Sequence, residues 1–148
     1  MSILDNIELL KDVLYECGQK FKYMPEPLGL DYWQTPIETE KLKTGDCEDL
    51  SVWVIDRAYS SIVGGSLYIV WGTDMSGQGH SWIEYEDDNG ERYWLDAVLR
   101  KGPISIEKWK YKPWMAAKYN GELFSNRFVY KAKLDEKLNK DQLPFGGR

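Results

Sequence analysis

Cys47 and His80 are the two residues whose types could together supply a nucleophile and its base. A cysteine attacks as thiolate, and the thiolate fraction rises at a helix N-terminus or beside a protonated imidazole. Gly45 allows a turn and Asp46 is a candidate cap before an apolar-periodic stretch, so Cys47 is predicted to open a helix. His80 is the single histidine of the chain. A lone histidine is more often structural than catalytic, but its combination with a helix-opening cysteine predicts thiol chemistry.

Asp96 is a candidate third member of this group. It lies in the otherwise apolar stretch 93–97, and burying its carboxylate there would be costly without a partner. His80 could be that partner, and the carboxylate would then hold the imidazole ring in the correct tautomer. The alternative is an edge residue that faces water. The three residues predict a Cys-His-Asp triad.

The loop between two predicted strands provides a test of this grouping, because alternate residues of a strand face opposite sides. With a two-residue Asn89-Gly90 turn, Asp96 would lie opposite Ile83 and away from His80. With an odd-numbered loop, Asp96 would lie opposite Trp82 and share the face of His80. The triad hypothesis therefore predicts a three- or five-residue loop or an equivalent bulge.

Hydrophobic periodicity predicts the elements that would position these residues. We expect an amphipathic helix over residues 4–16 that ends at Gly18, a long ordered loop over residues 21–44, and a buried central helix over residues 46–62. Strands are expected over residues 66–72, 80–86, 91–99 and 127–133, with a short helix or covering loop in residues 101–126. The predicted fold class is α+β, with a central helix that carries the nucleophile at its N-terminus and packs against an antiparallel β-sheet.

Composition limits the classes of protein to which the chain could belong. Its 148 residues predict a single domain over residues 1–148, with a loosely ordered tail from about residue 134. A net charge of −5 argues against nucleic acid or an anionic membrane as a partner. Neither a signal-like start nor a long apolar run occurs, which predicts a cytoplasmic protein. Two cysteines in such a chain are expected to be free thiols, with Cys17 a small buried one. The oligomeric state is not indicated.

Two longer motifs carry a resemblance to a known family. They are Asp-Tyr-Trp-Gln-Thr-Pro-Ile-Glu at 31–38 and Gly-Asp-Cys-Glu-Asp-Leu-Ser at 45–51, followed by Gly-His-Ser at 79–81 and Leu-Asp at 95–96. Together they resemble the bacterial transglutaminase-like cysteine proteinases. The resemblance implies a papain-like fold with Cys47 as nucleophile, His80 as base and Asp96 as orienting residue. Leu50 and Ala97 depart from the family pattern, which often has an aromatic residue and Asn there.

The same resemblance implies a calcium site. Family members that cleave adhesins bind calcium through acids that flank the nucleophile, and Asp46, Glu48 and Asp49 occupy those positions here. Oxygen ligands of this kind suit calcium. The alternative is that Asp46 caps the helix while the other two acids interact with its positive end. The predicted chemistry requires no other cofactor.

The predicted reaction is acyl transfer on a peptide or amide bond, most simply hydrolysis, with a peptide or protein as substrate. The oxyanion would be held by the Cys47 backbone N–H and by the indole of Trp33 or the side-chain amide of Gln34. Amine transfer to protein glutamine is an alternative within the same chemistry. A catalytically silent binding or assembly module is a further alternative, since a fold does not guarantee activity. A zinc site with Cys47, His80 and a carboxylate fits less well, because only Cys17 remains as a fourth ligand.

Overall fold

The computed structural model describes residues 3–25 and 34–121 of the chain. The helices in these ranges are α1 (Ile3–Lys20), α2 (Pro36–Leu42) and α3 (Cys47–Tyr59). The strands are β1 (Lys22–Tyr23), β2 (Thr44–Gly45), β3 (Ser66–Thr73), β4 (Gly79–Glu86), β5 (Arg92–Asp96), β6 (Lys101–Ser105) and β7 (Lys112–Lys118), with one 3-10 turn, Ile106–Lys108, between the last two.

One antiparallel sheet contains the five longer strands in the order β6-β5-β4-β3-β7. The two short strands β1 and β2 pair in parallel, with Tyr23 opposite Gly45. Helix α3 packs on β3 and β4 of the large sheet, and α1 and α2 pack against α3. The chain therefore has the predicted α+β, papain-like architecture, in which a central helix lies against an antiparallel sheet.

Apolar residues fill both faces of this sheet. The face toward the helices joins α3 and α1 side chains to residues such as Ile69, Ile83 and Leu95. Helix α3 is buried on more than one side, as its apolar pattern predicts. The opposite face carries a smaller core formed by Val70, Trp82, Trp94, Trp109 and Tyr111. Trp71 is buried as well, whereas Trp114 is 43% exposed.

Helix α2 contradicts the prediction of an unbroken loop over residues 21–44. Proline breaks a helix when it lies in its interior, but Pro36 occupies the first turn of α2. Proline suits that place, because its fixed φ is helical and the N–H that it lacks has no partner inside the helix. Thr35 and Glu38 form a capping box ahead of it, with the Glu38 side chain accepting from the Thr35 N–H at 2.9 Å. Residues 26–33 of the predicted loop lie outside the described ranges.

Residues 101–126 were predicted to contain a short helix or covering loop, and the part of this segment that the structure describes, residues 101–121, is mainly strand instead. It contains the strands β6 and β7, with only the 3-10 turn matching the expected helix. Both strands lie at edges of the sheet, where the prolines Pro103 and Pro113 are tolerated because an edge strand has N–H positions without a ladder partner. The strand predicted at 127–133 and the tail from residue 134 lie outside the described residues.

Three element boundaries also differ from the sequence prediction. Helix α1 continues through Gly18 to Lys20, and α3 ends at Tyr59 instead of residue 62. Strand β5 ends at Asp96, three residues early, because the Asp96 Oδ1 atom accepts hydrogen bonds from the Val98 and Leu99 backbone N–H groups and so forms a turn. Among the described residues, none of the helices is long and apolar enough to span a lipid bilayer.

Candidate active site

Cys47 is the first residue of α3, as its sequence context predicts. Asp46 is the N-cap and forms a capping box with Asp49, in which each carboxylate accepts the backbone N–H of the other residue at 3.0 Å. Short strand β2 leads into this cap and is held against β1. The local sequence therefore fixes the position of the nucleophile through backbone hydrogen bonds on both sides of the cysteine.

The Cys47 thiol is held in its protonated form by its surroundings. Burial raises the pKa of Cys47 well above its usual value, the charges of Glu48 and Asp46 raise it further, and the backbone N–H of Ser81 lowers it by donating to the sulfur. The sequence predicted a thiolate favoured by the helix N-terminus, whereas desolvation and the charges of Glu48 and Asp46 disfavour the thiolate here. Attack by this sulfur consequently requires a base to take its proton.

His80 and Asp96 form a short hydrogen bond, with 2.7 Å between Nε2 of the ring and Oδ2 of the carboxylate. His80 lies in β4 immediately before Ser81, the residue whose N–H reaches the Cys47 sulfur. The Asp96 carboxylate is fully buried, and the imidazole is 12% exposed. The His80–Asp96 pair and the Ser81 N–H that contacts the Cys47 sulfur therefore lie together at the start of β4.

Asp96 forms four hydrogen bonds, one with the His80 ring, one with the Tyr111 hydroxyl and two with backbone N–H groups. Its Oδ2 atom is hydrogen-bonded to His80 Nε2 and accepts a hydrogen bond from the Tyr111 hydroxyl. Its Oδ1 atom accepts hydrogen bonds from the backbone N–H groups of Val98 and Leu99. Burial opposes ionisation, but these bonds and the imidazole together lower the pKa of Asp96. An ionised carboxylate has no proton to give, so Nε2 carries the ring proton and Nδ1 is left as the basic nitrogen.

The register of the β4–β5 hairpin confirms the parity prediction. Ile83 pairs with Leu95 and Glu86 with Arg92, which leaves the five residues 87–91 outside the strands. Gly90 takes a φ of 85°, in the left-handed region that favours glycine. Because Leu95 and not Asp96 is opposite Ile83, Asp96 lies on the same face of the sheet as His80.

Tyr111 is a site residue that the sequence analysis missed. Its hydroxyl donates to Asp96 Oδ2 at 2.7 Å, and its ring meets the His80 ring edge to face at 5.7 Å. Tyr111 lies in the connection between the 3-10 turn and β7, a segment without a recognisable motif. Its position follows from the second core, where its ring packs on Trp82 and Trp109. No local sequence signal could have indicated it.

Gln34 lies beside the loop that carries the nucleophile. Its backbone N–H donates to Asp49 Oδ1 at 2.8 Å, and its side-chain oxygen accepts from the Thr39 hydroxyl at 2.9 Å. That oxygen also lies close to Gly45, where a Cβ would meet it at 3.4 Å. These bonds orient the side-chain amide and leave its N–H₂ group as a donor. The other candidate donor, Trp33, lies outside the described residues.

The three acids proposed to bind calcium do not converge in the described part of the chain. Glu48 turns into the core, where its Oε2 atom accepts the Trp71 indole N–H at 3.0 Å. Asp46 and Asp49 remain close together, but their oxygens are directed at backbone N–H groups. No group of three or more His, Cys, Asp or Glu side chains among residues 3–25 and 34–121 could hold a metal ion. The acids as arranged therefore do not fit a calcium cage, which needs six to eight oxygens.

At this helix end, the surroundings of Asp49 disfavour the ionised form of its carboxyl group. Burial and the neighbouring Asp46 carboxylate raise the pKa of Asp49 to about 8, against the two backbone N–H donors that lower it. The second cysteine, Cys17, is 1% exposed and free, as predicted, and burial raises the pKa of Cys17 to about 12. Cys17 is thus an unreactive core thiol.

Comparison with solved structures supports the fold. The chain is similar to Legionella pneumophila LapG in three forms, each with a TM-score of 0.66: an EGTA-treated form at 23% identity, one titled simply LapG at 22%, and a calcium-bound form at 22%. The matches cover 78%, 85% and 84% of this chain and 63%, 70% and 72% of LapG. No protein-family model and no curated protein sequence matches. At this identity the similarity shows a shared fold, and the chain spans less than two thirds of the EGTA-treated LapG chain.

Proposed function

We propose that this protein is a cysteine enzyme that hydrolyses peptide or amide bonds, with Cys47 as nucleophile, His80 as general base and Asp96 as the residue that orients the base. The observation that carries the proposal is the 2.7 Å bond from His80 to the buried, ionised Asp96, next to the Ser81 N–H that contacts the Cys47 sulfur. A buried carboxylate, an imidazole and a thiol in this order are the parts of a thiol acyl-transfer site.

The reaction begins with a protonated Cys47 thiol and with His80 as its base. As the Cys47 sulfur attacks the substrate carbonyl, its proton passes to Nδ1 of His80, a carbon–sulfur bond forms, and the carbonyl π electrons move to oxygen. Asp96 stabilises the imidazolium that results. The backbone N–H of Cys47, together with the Gln34 amide or the Trp33 indole, would hold the oxyanion.

Collapse of this intermediate breaks the carbon–nitrogen bond, and the His80 imidazolium gives its proton to the leaving amine. Water then attacks the thioester carbonyl while His80 takes its proton. The carbon–sulfur bond breaks, the proton returns from His80 to the Cys47 sulfur, and the carboxylic acid is released. A second amine in place of water would give the amine-transfer variant.

The test is a peptide library incubated with the wild type and with Cys47→Ala, with products identified by mass spectrometry. Ser60→Ala, at the other end of the same helix, is the matched control. We expect hydrolysis by the wild type and Ser60→Ala and none by Cys47→Ala. Added primary amine distinguishes amine transfer, and parallel assays with calcium and with EGTA show whether Asp46 and Asp49 leave their capping bonds to bind the cation. Equal behaviour of all variants would favour a silent binding module.

A further inference from the structure

A cavity of about 230 Å³ lies between the end of α1, strand β1 and the turn that follows Asp96. Its volume corresponds to roughly seven water molecules, enough for one side chain. Apolar residues form much of the wall, and cationic or hydroxyl side chains lie among them. The apolar lining residues include Phe21, Leu50 and Ala97. The cationic or hydroxyl-bearing ones are Lys22, Tyr23 and Arg100.

This cavity adjoins the candidate active site. Leu50 is three residues along α3 from Cys47, and Ala97 follows Asp96 directly. Tyr23 pairs with Gly45, two residues before the nucleophile. Burial raises the pKa of the Tyr23 hydroxyl, and the next contributions come from Cys47, Asp46 and Asp96, which shows that the phenol is within electrostatic reach of the triad. A substrate held at Cys47 would therefore pass this cavity.

Two cations of the lining have no anionic partner in the part of the chain that the structure describes. Neither Lys22 nor Arg100 forms an ion pair there, although the neighbouring Lys20, Lys43 and Arg57 each pair with a glutamate. The chain has 24 acidic and 19 basic residues, so acids to pair with are abundant. Two unpaired cations on one cavity provide a local positive charge within a negatively charged protein.

Arg100 is held in place by an unusual backbone. Its φ is 55°, in the left-handed region that a residue with a Cβ rarely adopts. The aliphatic part of its side chain lies on Gly18 of α1, where a Cβ would overlap with it. Backbone strain of this kind persists where it serves a site. Gly18 and the left-handed turn together keep the guanidinium at the cavity.

We propose that this cavity is a substrate subsite that takes the acidic side chain of a peptide, an inference that rests on the proposed peptide or amide hydrolysis. Phe21, Leu50 and Ala97 would contact the methylene groups of the side chain. Arg100 and Lys22 would bind its carboxylate, with the Tyr23 hydroxyl as a further donor. The nearby Asp96 carboxylate does not oppose this strongly, since its charge is compensated by His80 and three other donors.

The test uses reactive probes, so that it does not depend on turnover. Bromoacetyl peptides are made in pairs that differ only in Glu or Gln, placed one, two or three residues from the reactive group. The alkylation rate of Cys47 is followed by peptide mapping and divided by the rate of each probe with glutathione. At one spacing we expect the Glu probe to react about fivefold faster than its Gln partner, with the preference decreasing at high salt.

Variants assign this preference to the cavity. Arg100→Gln and Lys22→Gln should each reduce the preference toward equal rates, whereas Arg100→Lys should keep most of it. Lys108→Gln removes an exposed lysine of the 3-10 turn and should leave it unchanged. Circular dichroism verifies that each variant is folded.

The outcomes separate the two proposals. Equal rates for every Glu and Gln pair, with Cys47 alkylated faster than glutathione, would overturn the acidic subsite and leave the proposed hydrolysis intact. A preference that survives in Arg100→Gln and Lys22→Gln would also overturn it. Failure of every probe to alkylate Cys47 would contradict both.

Discussion

Buried carboxylates lie near Cys47 in two places, Asp96 at the end of β5 and Asp46 with Asp49 at the start of α3. The pKa values of Asp96 and Asp49 are shifted in opposite directions. Asp96 accepts bonds from four donors, and its pKa is lowered despite its burial. Asp49 accepts two backbone N–H bonds but lies beside the Asp46 carboxylate, and burial with that neighbour raises its pKa to about 8. Similar burial thus produces opposite shifts.

The difference comes from the partners, since burial alone disfavours the charged form in both places. At Asp96, an imidazole and three further donors compensate the desolvation. At α3, the charges of Asp46 and Glu48 add to the desolvation, and they raise the pKa of Cys47 as well. The protein therefore keeps a charged orienting acid on one side of the sulfur, whereas on the other side desolvation and two acids disfavour the thiolate.

Asp96→Asn should have the largest effect on activity, because it removes the negative charge that the His80 ring and three other donors contact. An amide cannot accept all four bonds: its N–H₂ group would face either His80 and Tyr111 or the Val98 and Leu99 N–H groups. We expect peptide hydrolysis to fall by about a thousandfold or more, since the imidazole loses its tautomer and its counter-charge.

The stability of the same variant provides a measurement that does not depend on activity. Because the pKa of Asp96 is lower in the folded protein, its stabilising contribution is present above the pKa of an unfolded aspartate, about 3.9, and is lost as the pH falls through the folded value. The free energy of unfolding of wild type should exceed that of Asp96→Asn at pH 7 and approach it in acid. A gap that is independent of pH would contradict the ionised state assigned to Asp96.

Tyr111→Phe sharpens the comparison by removing one donor out of four. We expect kcat to fall by roughly tenfold with little change in KM, because a lost hydrogen bond to a charged group costs about 1.5 kcal/mol and the ring packing is kept. The pKa of Asp96 should rise, which would move the acid limb of the pH–rate profile to higher pH.

Tyr119→Phe is the matched control for that experiment. Tyr119 is also a buried tyrosine whose hydroxyl donates to a carboxylate, Asp56 Oδ1 at 2.9 Å, at the far end of α3 from the site. It should lose stability without a change in the pH–rate profile. If both variants shift the profile equally, Tyr111 acts through general stability and not through Asp96.

Local sequence signals predicted the parts of this molecule that local interactions determine. The start of α3 follows from the Asp46 cap and the apolar pattern after it, and the β4–β5 register follows from the position of Gly90. The fold class and the proximity of His80 to Asp96 were predicted on that basis. Helix α2 could have been predicted too, since Thr35, Pro36 and Glu38 form a complete helix N-terminal motif.

The remaining features depend on contacts that are distant in sequence. Tyr111 reaches Asp96 only because the second core brings the connection before β7 under β4 and β5. The divergence of Glu48 from Asp46 and Asp49 depends on the Trp71 indole, 23 residues away. The raised pKa of Cys47 required knowledge of how deeply these acids are buried. The motif around Cys47 shows which acids neighbour it in sequence, but not how far these residues are buried from water.

Asp49→Asn should have the smallest effect and tests the acids at the start of α3. Since the pKa of Asp49 is higher in the folded protein than in an unfolded chain, wild-type stability decreases as the pH rises from about 4 toward 8. The neutral variant lacks this decrease. At pH 5 it should be less stable than wild type by about 1 kcal/mol, because the amide accepts only one of the two backbone N–H bonds well.

The difference in the free energy of unfolding between wild type and Asp49→Asn should then narrow or reverse by pH 8.5, as measured by urea unfolding from pH 5 to pH 8.5. Asp12→Asn, an exposed position in α1, controls for the loss of one acidic residue. A difference that widens with pH would mean that the helix N-terminus and the two N–H donors outweigh Asp46, so that Asp49 resembles Asp96. The contrast between Asp96 and Asp49 would then disappear.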